Sequence, residues 1–342
     1  MNHRIGHCSW FVAGVLLFIL PTARAHDDRP FRNLFEEARE RSDIKAKEMP
    51  GFILRGAVRI WVKKDAASSG KYLFVWTPEG KWKEQIAFPG YTRTRIGDGK
   101  QFWQVRSTES ESPSIFEMRN LIGASRPPRL PETDKLEKTR PQIIDGGAAE
   151  CINRRISAAA APWSYCFDPK TGDLLKAVAA KESSEVSWKV QVMEFSNFQE
   201  WAHKRVPRTL RGYNGKQTVV EVQLEEIKAL PQLPQEYFSV PKEATSWLDC
   251  SEGQPWKLKD RVQPAYPTSS RSQHHQGTVV LYAVIGEDGR LSELRLAHSA
   301  GPDLDRSALE AVSQWRYERT SACSSFEGRS ETLIDVVYTL NL

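Results

Sequence analysis

Residues 277–297 carry the stretch GTVVLYAVIGEDGRLSELRLA, which predicts two antiparallel strands joined by a tight turn. The first half is rich in β-branched side chains, which favour extended backbone. Residues 287–290 (EDGR) are typical of a hairpin turn, because Gly289 can adopt the positive φ that such a turn requires. We therefore predict a hairpin whose return strand covers 291–297.

A helix is predicted directly after the hairpin, over 303–315. Its apolar residues recur at helical spacing and would cover one face of the hairpin: Leu304, Ala308, Ala311, Val312 and Trp315. A final strand over 333–340 would then join the same sheet. The C-terminal domain is thus predicted to have the order β-hairpin, helix, β-strand.

This segment resembles the C-terminal domain of TonB energy transducers. The resemblance is carried by Tyr266-Pro267, Gln276-Gly277-Thr278-Val279, Asp288-Gly289-Arg290, Ser299-x-Gly301, Leu304-Asp305, Ala308-Leu309-x-Ala311-Val312 and Trp315-Arg316-Tyr317. The family usually has Pro shortly after the last triplet and Gly-x-Pro before the last strand, where this chain has Arg319 and Gly328-Arg329-Ser330.

The resemblance implies a periplasmic protein–protein module with an exposed sheet edge. TonB domains bind outer-membrane receptors by adding a partner strand to that edge. In this chain the edge would be the last strand, with Ile334, Val336 and Tyr338 on it. The alternative is that loops cover the edge.

The N-terminal 25 residues have the features of a secretion signal. Arg4 precedes an apolar run over 10–20, and Ala23-Arg24-Ala25 supplies the small-x-small pattern of a cleavage site. The apolar run is about half the length of a membrane-spanning helix. We expect cleavage near Ala25 and a periplasmic protein; the alternative is an uncleaved inner-membrane anchor.

Residues 26–243 are predicted to form an antiparallel β domain with few helices. Helices are predicted over 30–48 and 113–123, and a Pro-rich charged loop over 126–142. Alternating strands run through the remainder, with turns at 77–80 and 97–99. Residues 244–262 are predicted to be a linker to the C-terminal domain at 263–342. The fold class is therefore α+β.

The order of elements in the N-terminal domain resembles that of the LolA and LolB lipoprotein carriers. The segments that carry this resemblance are YLFVWTPEGKWKEQIAFPGY, YCFDPKTGDL and YFSVP. It implies an unclosed, curved antiparallel barrel around an apolar cavity that holds a lipid-like ligand. Candidate residues for that cavity, or for ordinary sheet core, are Trp61, Phe74, Trp76, Trp82, Phe88 and Trp103.

Four cysteines follow the signal, and an even number in an oxidising compartment favours disulfides. Four cysteines allow three connectivities, of which we predict the pairs Cys151–Cys166 and Cys250–Cys323. The first pair flanks a strand-turn-strand pattern. The second would join the linker to the C-terminal domain.

Composition and motifs argue against several functional classes. The 48 basic and 43 acidic residues are interspersed, so no nucleic-acid-binding stripe is expected. The chain has no G-x-S-x-G, H-E-x-x-H or Walker motif. We expect no catalytic residues, metal or cofactor.

The function predicted from the sequence is an exported docking protein, with the N-terminal domain possessing a site for a lipid-like ligand. An envelope protein, such as an outer-membrane receptor, is the expected partner. One alternative is a membrane-anchored TonB-type energy transducer for outer-membrane transport. The other is an enzyme, such as a hydrolase, that uses the N-terminal cavity.

Overall fold

A computed structural model describes residues 28–63, 66–99, 101–108, 113–157, 161–179, 189–248, 255–320 and 328–340. The predicted signal lies outside these ranges. Within the described residues, no helix combines the length and the apolar character needed to cross a membrane.

A single antiparallel sheet forms the N-terminal part of the protein. Its strands, in chain order, are β1 (Phe52–Lys63), β2 (Ala66–Trp76), β3 (Trp82–Phe88), β4 (Tyr91–Gly97), β5 (Gln101–Arg106), β6 (Lys135–Lys138), β7 (Gln142–Ile144), β8 (Gly147–Arg155), β9 (Trp163–Phe167), β10 (Leu174–Val178), β11 (Val192–Trp201), β12 (Lys204–Asn214), β13 (Gln217–Ala229) and β14 (Thr245–Leu248).

The strand order of this sheet is β14-β5-β4-β3-β2-β1-β13-β12-β11-β10-β9-β8-β6, with β7 beside β8. In the part of the chain that the structure describes, the end strands β14 and β6 do not pair with each other. The sheet is therefore curved but unclosed, as predicted. Two short strands, β6 and β7, begin within the segment predicted as a loop.

Alternation along the strands gives this sheet its two faces. In β1, Phe52 and Leu54 are buried on what we call the inner face, whereas Arg55 and Arg59 point outward. These two arginines pair across the strand boundary with Glu226 and Glu221 of β13. The period-2 pattern read from the sequence thus specifies which face is buried.

Two helices pack on the inner face. Helix α1 (Arg29–Ser42) contacts β12, and helix α2 (Pro113–Ala124) contacts β1, β12 and β13. Phe35 of α1 is 1% exposed and packs edge-on against the rings of Tyr165 and Phe167. Helix α1 ends at Ser42, six residues before the predicted end, and residues 43–49 form turns that bury Met49.

The C-terminal part contains the predicted hairpin, helix and strand. Strands β16 (Gly277–Ile285), β17 (Leu291–His298) and β19 (Ser330–Tyr338) pair in the order β17-β16-β19, and α4 (Pro302–Val312) covers one face. The remaining elements are a 3₁₀ turn (Gln235–Phe238), α3 (Thr268–Ser272) and a two-stranded sheet of β15 (Trp256–Asp260) and β18 (Arg316–Arg319).

The hairpin turn depends on Gly289. Its φ is +73°, and a Cβ atom there would lie 1.9 Å from the carbonyl oxygen of Tyr317. The Tyr317 amide donates to the Gly289 carbonyl at 2.9 Å. Glycine is therefore required both for the backbone conformation and for the close approach of β18.

The predicted linker, residues 244–262, contributes a strand to each part of the protein. Strand β14 pairs with β5 of the large sheet, and β15 pairs with β18 of the C-terminal part. Trp247 and Trp256 are buried, so both strands are anchored by large apolar side chains. The segment therefore joins the two parts through side-chain packing as well as through the chain. The domain boundaries themselves stay a prediction.

Cys151 and Cys166 form a disulfide, as predicted. They lie directly opposite each other on β8 and β9, with their Cα atoms 4.0 Å apart. The predicted Cys250–Cys323 pair lies outside the described residues.

Candidate functional site

A cavity of about 1560 Å³ lies against the inner face of the large sheet. Residues of α1, of α2 and of strands β1–β3 and β8–β13 line it. Its apolar wall includes Ile44, Leu54, Phe74, Ile122, Met193, Val206, Leu210 and Leu224. The volume exceeds the roughly 300–1,000 Å³ of ordinary small-molecule pockets.

Of the six aromatic residues proposed from the sequence, Phe74 lines this cavity. Trp76 and Phe88 are buried in the core, where Trp76 stacks on Phe52 with 5.7 Å between ring centroids. Trp82 lies over Gly97 on the neighbouring strand, 5.9 Å from the ring of Phe102.

The last two of these residues, Trp61 and Trp103, are half-buried. They are not among the residues that line the cavity as the structure describes it. Aromatic side chains at one end of the sheet fill that end by packing on one another. The cavity lies elsewhere along the inner face, against a wall that combines aliphatic, aromatic and charged side chains.

Basic residues, which the sequence analysis did not single out, form part of the cavity wall. Arg39, near the end of α1, and Arg126 and Arg129, in the loop after α2, make up what we call the arginine triad. Arg39 donates to the carbonyl of Pro127 at 2.8 Å, and Arg126 pairs with Asp43. The sequence signal for Arg126 and Arg129 was the run RPPRL at 126–130, but the sequence did not show where that run lies in the fold.

The electrostatics of the triad reflect crowding of like charges. Burial, then repulsion by Arg126 and Arg129, lowers the pKa of Arg39, and attraction by Asp43 and Glu36 offsets this in part. Burial also lowers the pKa of Arg126. The guanidinium groups stay protonated, so this part of the wall carries excess positive charge.

A buried carboxyl group, that of Glu117 on α2, lies elsewhere in the cavity wall. It accepts a hydrogen bond from the Val190 amide at 2.9 Å. Burial raises its pKa to about 6. Among the described residues, no group of three His, Cys, Asp or Glu side chains could hold a metal ion.

Glu331 of β19 connects the cavity wall to the C-terminal sheet. Its side chain is 4% exposed and faces three arginines of the N-terminal part. Arg95 lies 3.3 Å away, Arg119 3.7 Å away, and Arg106 pairs with the other carboxylate oxygen. Gln104 and the Tyr282 hydroxyl donate at 3.0 and 3.1 Å.

These contacts define the protonation state of Glu331. Burial acts to raise its pKa, but the charges of Arg95, Arg119 and Arg106 and the hydrogen bond from Gln104 outweigh it and hold the pKa below the ordinary value. Apolar packing adjoins the cluster, because Tyr282 belongs to one buried apolar group with Phe116 of α2 and Trp247 of β14. The two parts of the protein are thus joined by a buried charge cluster and an apolar contact.

Strand β19 lies at one edge of the three-stranded sheet. Its register with β16 is unbroken from Gly277↔Tyr338 to Ile285↔Ser330. Ile334, Val336 and Tyr338 point into the core, where each is no more than 6% exposed. Within the described residues, the outer edge has only an isolated bridge between Arg329, just before β19, and Trp247. Beyond the first residues of β19, this edge therefore presents mainly backbone N–H and C=O groups.

The C-terminal segment has recognisable relatives in sequence. Residues 262–323 match the family model described as Gram-negative bacterial TonB protein C-terminal. A 64-residue segment is 36% identical to Protein TonB of Vibrio cholerae, covering 18% of this chain and 26% of that relative. The chain therefore matches about a quarter of the length of that protein.

Two solved structures resemble parts of this chain. A LolA superfamily protein from Nitrosomonas europaea aligns with a TM-score of 0.38 at 15% identity, over 61% of this chain and 97% of that one. The C-terminal domain of TonB from Pseudomonas aeruginosa aligns with a TM-score of 0.24 at 19% identity, over 27% of this chain and 93% of that one. By its sequence, the segment 262–323 matches the family of Gram-negative TonB C-terminal domains.

Proposed function

We propose that this chain is an exported envelope protein whose C-terminal sheet binds a strand of an envelope partner, such as an outer-membrane receptor. The observation that carries the proposal is the regular outer edge of β19, which pairs with β16 of the segment 262–323 that matches the TonB C-terminal family model. An extended partner segment would add to this edge through main-chain hydrogen bonds.

The two edges of the C-terminal sheet differ in their suitability for such pairing. The register of β17 with β16 shifts twice, and Glu293 in β17 has a φ of +51°. Irregularities of this kind disrupt strand addition, whereas a straight edge permits it. Strand β19 is therefore the edge that we assign to docking.

Site-specific photo-crosslinking in intact cells tests this assignment. A photoreactive residue replaces Val337 on β19 or, as a matched control, Leu296 on β17; the two native side chains are 45% and 44% exposed. We expect an outer-membrane receptor to crosslink at position 337 and not at 296. Equal crosslinking at both positions, or none at 337, would overturn the proposal.

The cavity supports a second role, in which the N-terminal sheet holds a lipid-like ligand. The supporting observation is a volume of about 1560 Å³ whose wall has a continuous set of apolar side chains beside its charged ones. Native mass spectrometry of gently purified protein should show a co-purified lipid. A uniform apo mass, together with no binding of added amphiphiles, would count against this role.

The alternatives make different predictions for the same material. N-terminal sequencing of the protein should give a start near His26; a Met1 start in the membrane fraction would favour an anchored energy transducer. If the protein were an enzyme, incubating it with the co-purified lipid would release a product. We propose that the protein is not an enzyme, and that the co-purified lipid stays chemically unchanged.

A further inference from the structure

The positive charge in the cavity wall is distributed unevenly. Several basic residues of the wall have a carboxylate partner outside the cavity lining: Arg154 with Asp134, Arg205 with Asp173, Lys189 with Asp335 and Arg119 with Glu331. The arginine triad differs, because in the described structure its ion pairing consists of one contact, between Arg126 and Asp43.

The acidic residues of the wall do not balance the triad. Glu84 pairs with the buried Arg93 at 2.8 Å. Glu117 accepts from the Val190 amide. Glu36 attracts Arg39 and Arg126, but more weakly than Asp43 does. The triad is therefore the part of the wall with uncompensated positive charge.

The arginine triad also has N–H donors without a hydrogen-bond partner in the described structure. The Nε atom of Arg126 is buried without a hydrogen-bond partner in the described structure. Arg39 donates one hydrogen bond, to a neutral carbonyl, and Arg129 is an exposed residue of the lining. A guanidinium group has five N–H donors in a planar fork that matches carboxylate and phosphate oxygens. An anion at this position would satisfy several of them.

The apolar wall begins next to the triad. Ile44 follows Asp43 directly, Ile122 lies in the last turn of α2, and Phe74 and Leu54 line the same cavity. A ligand with its charged group among the arginines would thus have its chain against aliphatic and aromatic side chains. Burial of that chain against the apolar wall would contribute to the affinity.

We propose that the arginine triad binds the anionic head of the ligand, so that the cavity takes anionic amphiphiles with a carboxylate or phosphate head. This inference rests on the proposed lipid-holding role and specifies the chemical class of the ligand. It places the head at Arg39, Arg126 and Arg129 and the chain along the inner face.

Calorimetric titration of the full chain with matched twelve-carbon probes tests the inference. Dodecanoate, dodecyl phosphate and dodecanol share a chain and differ in the head. We expect both anions to bind at least about tenfold more tightly than the alcohol, which corresponds to roughly 1.4 kcal/mol. Raising the salt concentration should reduce that difference. The ratio between the two anions distinguishes a carboxylate head from a phosphate head.

Variants connect the preference to the triad. The double substitution Arg39→Gln with Arg129→Gln should weaken binding of the anions about tenfold and leave dodecanol binding unchanged. Arg306→Gln, at a 69% exposed position on α4, is the control and should change neither. Circular dichroism of each variant confirms that it is folded.

The outcomes separate this inference from the lipid-holding role. Binding of all three probes with similar affinity would overturn the anionic-head assignment and leave the cavity as a lipid site. Binding of none would overturn the lipid-holding role itself. An anion preference that the double variant retains would show that the head binds away from the triad.

Discussion

Replacing Glu331 by glutamine should weaken the contact between the two parts of the protein. The carboxylate is 4% exposed and faces Arg95, Arg106 and Arg119. Glutamine has nearly the same shape but no charge, so the three guanidinium groups would lose the buried negative charge that they face. Removing one partner of a buried charge network costs about 3–5 kcal/mol. We expect a loss of that order in the free energy of unfolding at neutral pH.

The dependence on pH supplies a second measurement. The pKa of Glu331 is held below its ordinary value of 4.5, so the protein gains stability from this group above that pH. The gain is lost as the pH falls through the lower pKa of the folded state. The difference between the parent protein and Glu331→Gln should therefore be constant from about pH 5 to 8 and shrink below about pH 4.

Urea unfolding followed by tryptophan fluorescence is the assay, because Trp247 packs in the same contact. Glu226→Gln is the control, since Glu226 pairs with Arg55 on the outer face at 40% exposure and should tolerate the change. A loss below about 1 kcal/mol at pH 7 for Glu331→Gln would refute the reasoning. A difference that grows in acid would also refute it.

Three further predictions concern stability. Glu117→Gln should raise the free energy of unfolding by up to about 2 kcal/mol above pH 6, because the folded-state pKa of about 6 makes ionised Glu117 unfavourable. Thermal melts at different pH should show that this gain vanishes near pH 4.5. A gain that persists at pH 4.5 would contradict the burial argument. Cys151→Ser should cost about 3 kcal/mol, from release of a loop with a sequence separation of 15, and the parent protein should lose a similar amount when it is reduced. A smaller loss would mean that the β8–β9 pairing holds without the covalent bond. Gly289→Ala should cost at least about 1–3 kcal/mol, since φ is +73° and the Cβ atom would meet the Tyr317 carbonyl. Gly90→Ala, at a φ of +76° with open space around it, is the control and should cost less in the same thermal melts.

Local pattern was sufficient for the elements of the C-terminal part. The predicted hairpin, helix and last strand are all present, because β-branched runs, a turn glycine and helical spacing act over a few neighbouring residues. The predicted helix extended to Trp315, whereas α4 ends at Val312. Trp315 is nevertheless buried and donates to the carbonyl of Val262 at 2.8 Å. The pattern identified its burial correctly, but the reason lies in a distant segment.

The candidate site was predictable only in outline. The resemblance to the LolA and LolB carriers implied an apolar cavity, but only Phe74 among the six candidates lines it. The others pack on one another or lie outside the lining, since alternation on a strand specifies a face and not the position along the sheet where space remains. Arg39 and Arg126 are far apart in sequence, and only the packing of α1 and of the loop after α2 brings them to one wall.

The sequence by itself left the pairing of the four cysteines open, but it determined the C-terminal hairpin and helix and the antiparallel, alternating character of the N-terminal part. These features arise from local backbone preferences and from side-chain periodicity. Only the tertiary structure decided that strand β16 is buried on both faces, by α4 on one and by Phe116 and Trp247 on the other. Only the tertiary structure also decided that Glu331 meets three arginines of the large sheet and α2. Long-range packing decides such contacts, because they join segments whose separation along the chain leaves no periodic signal.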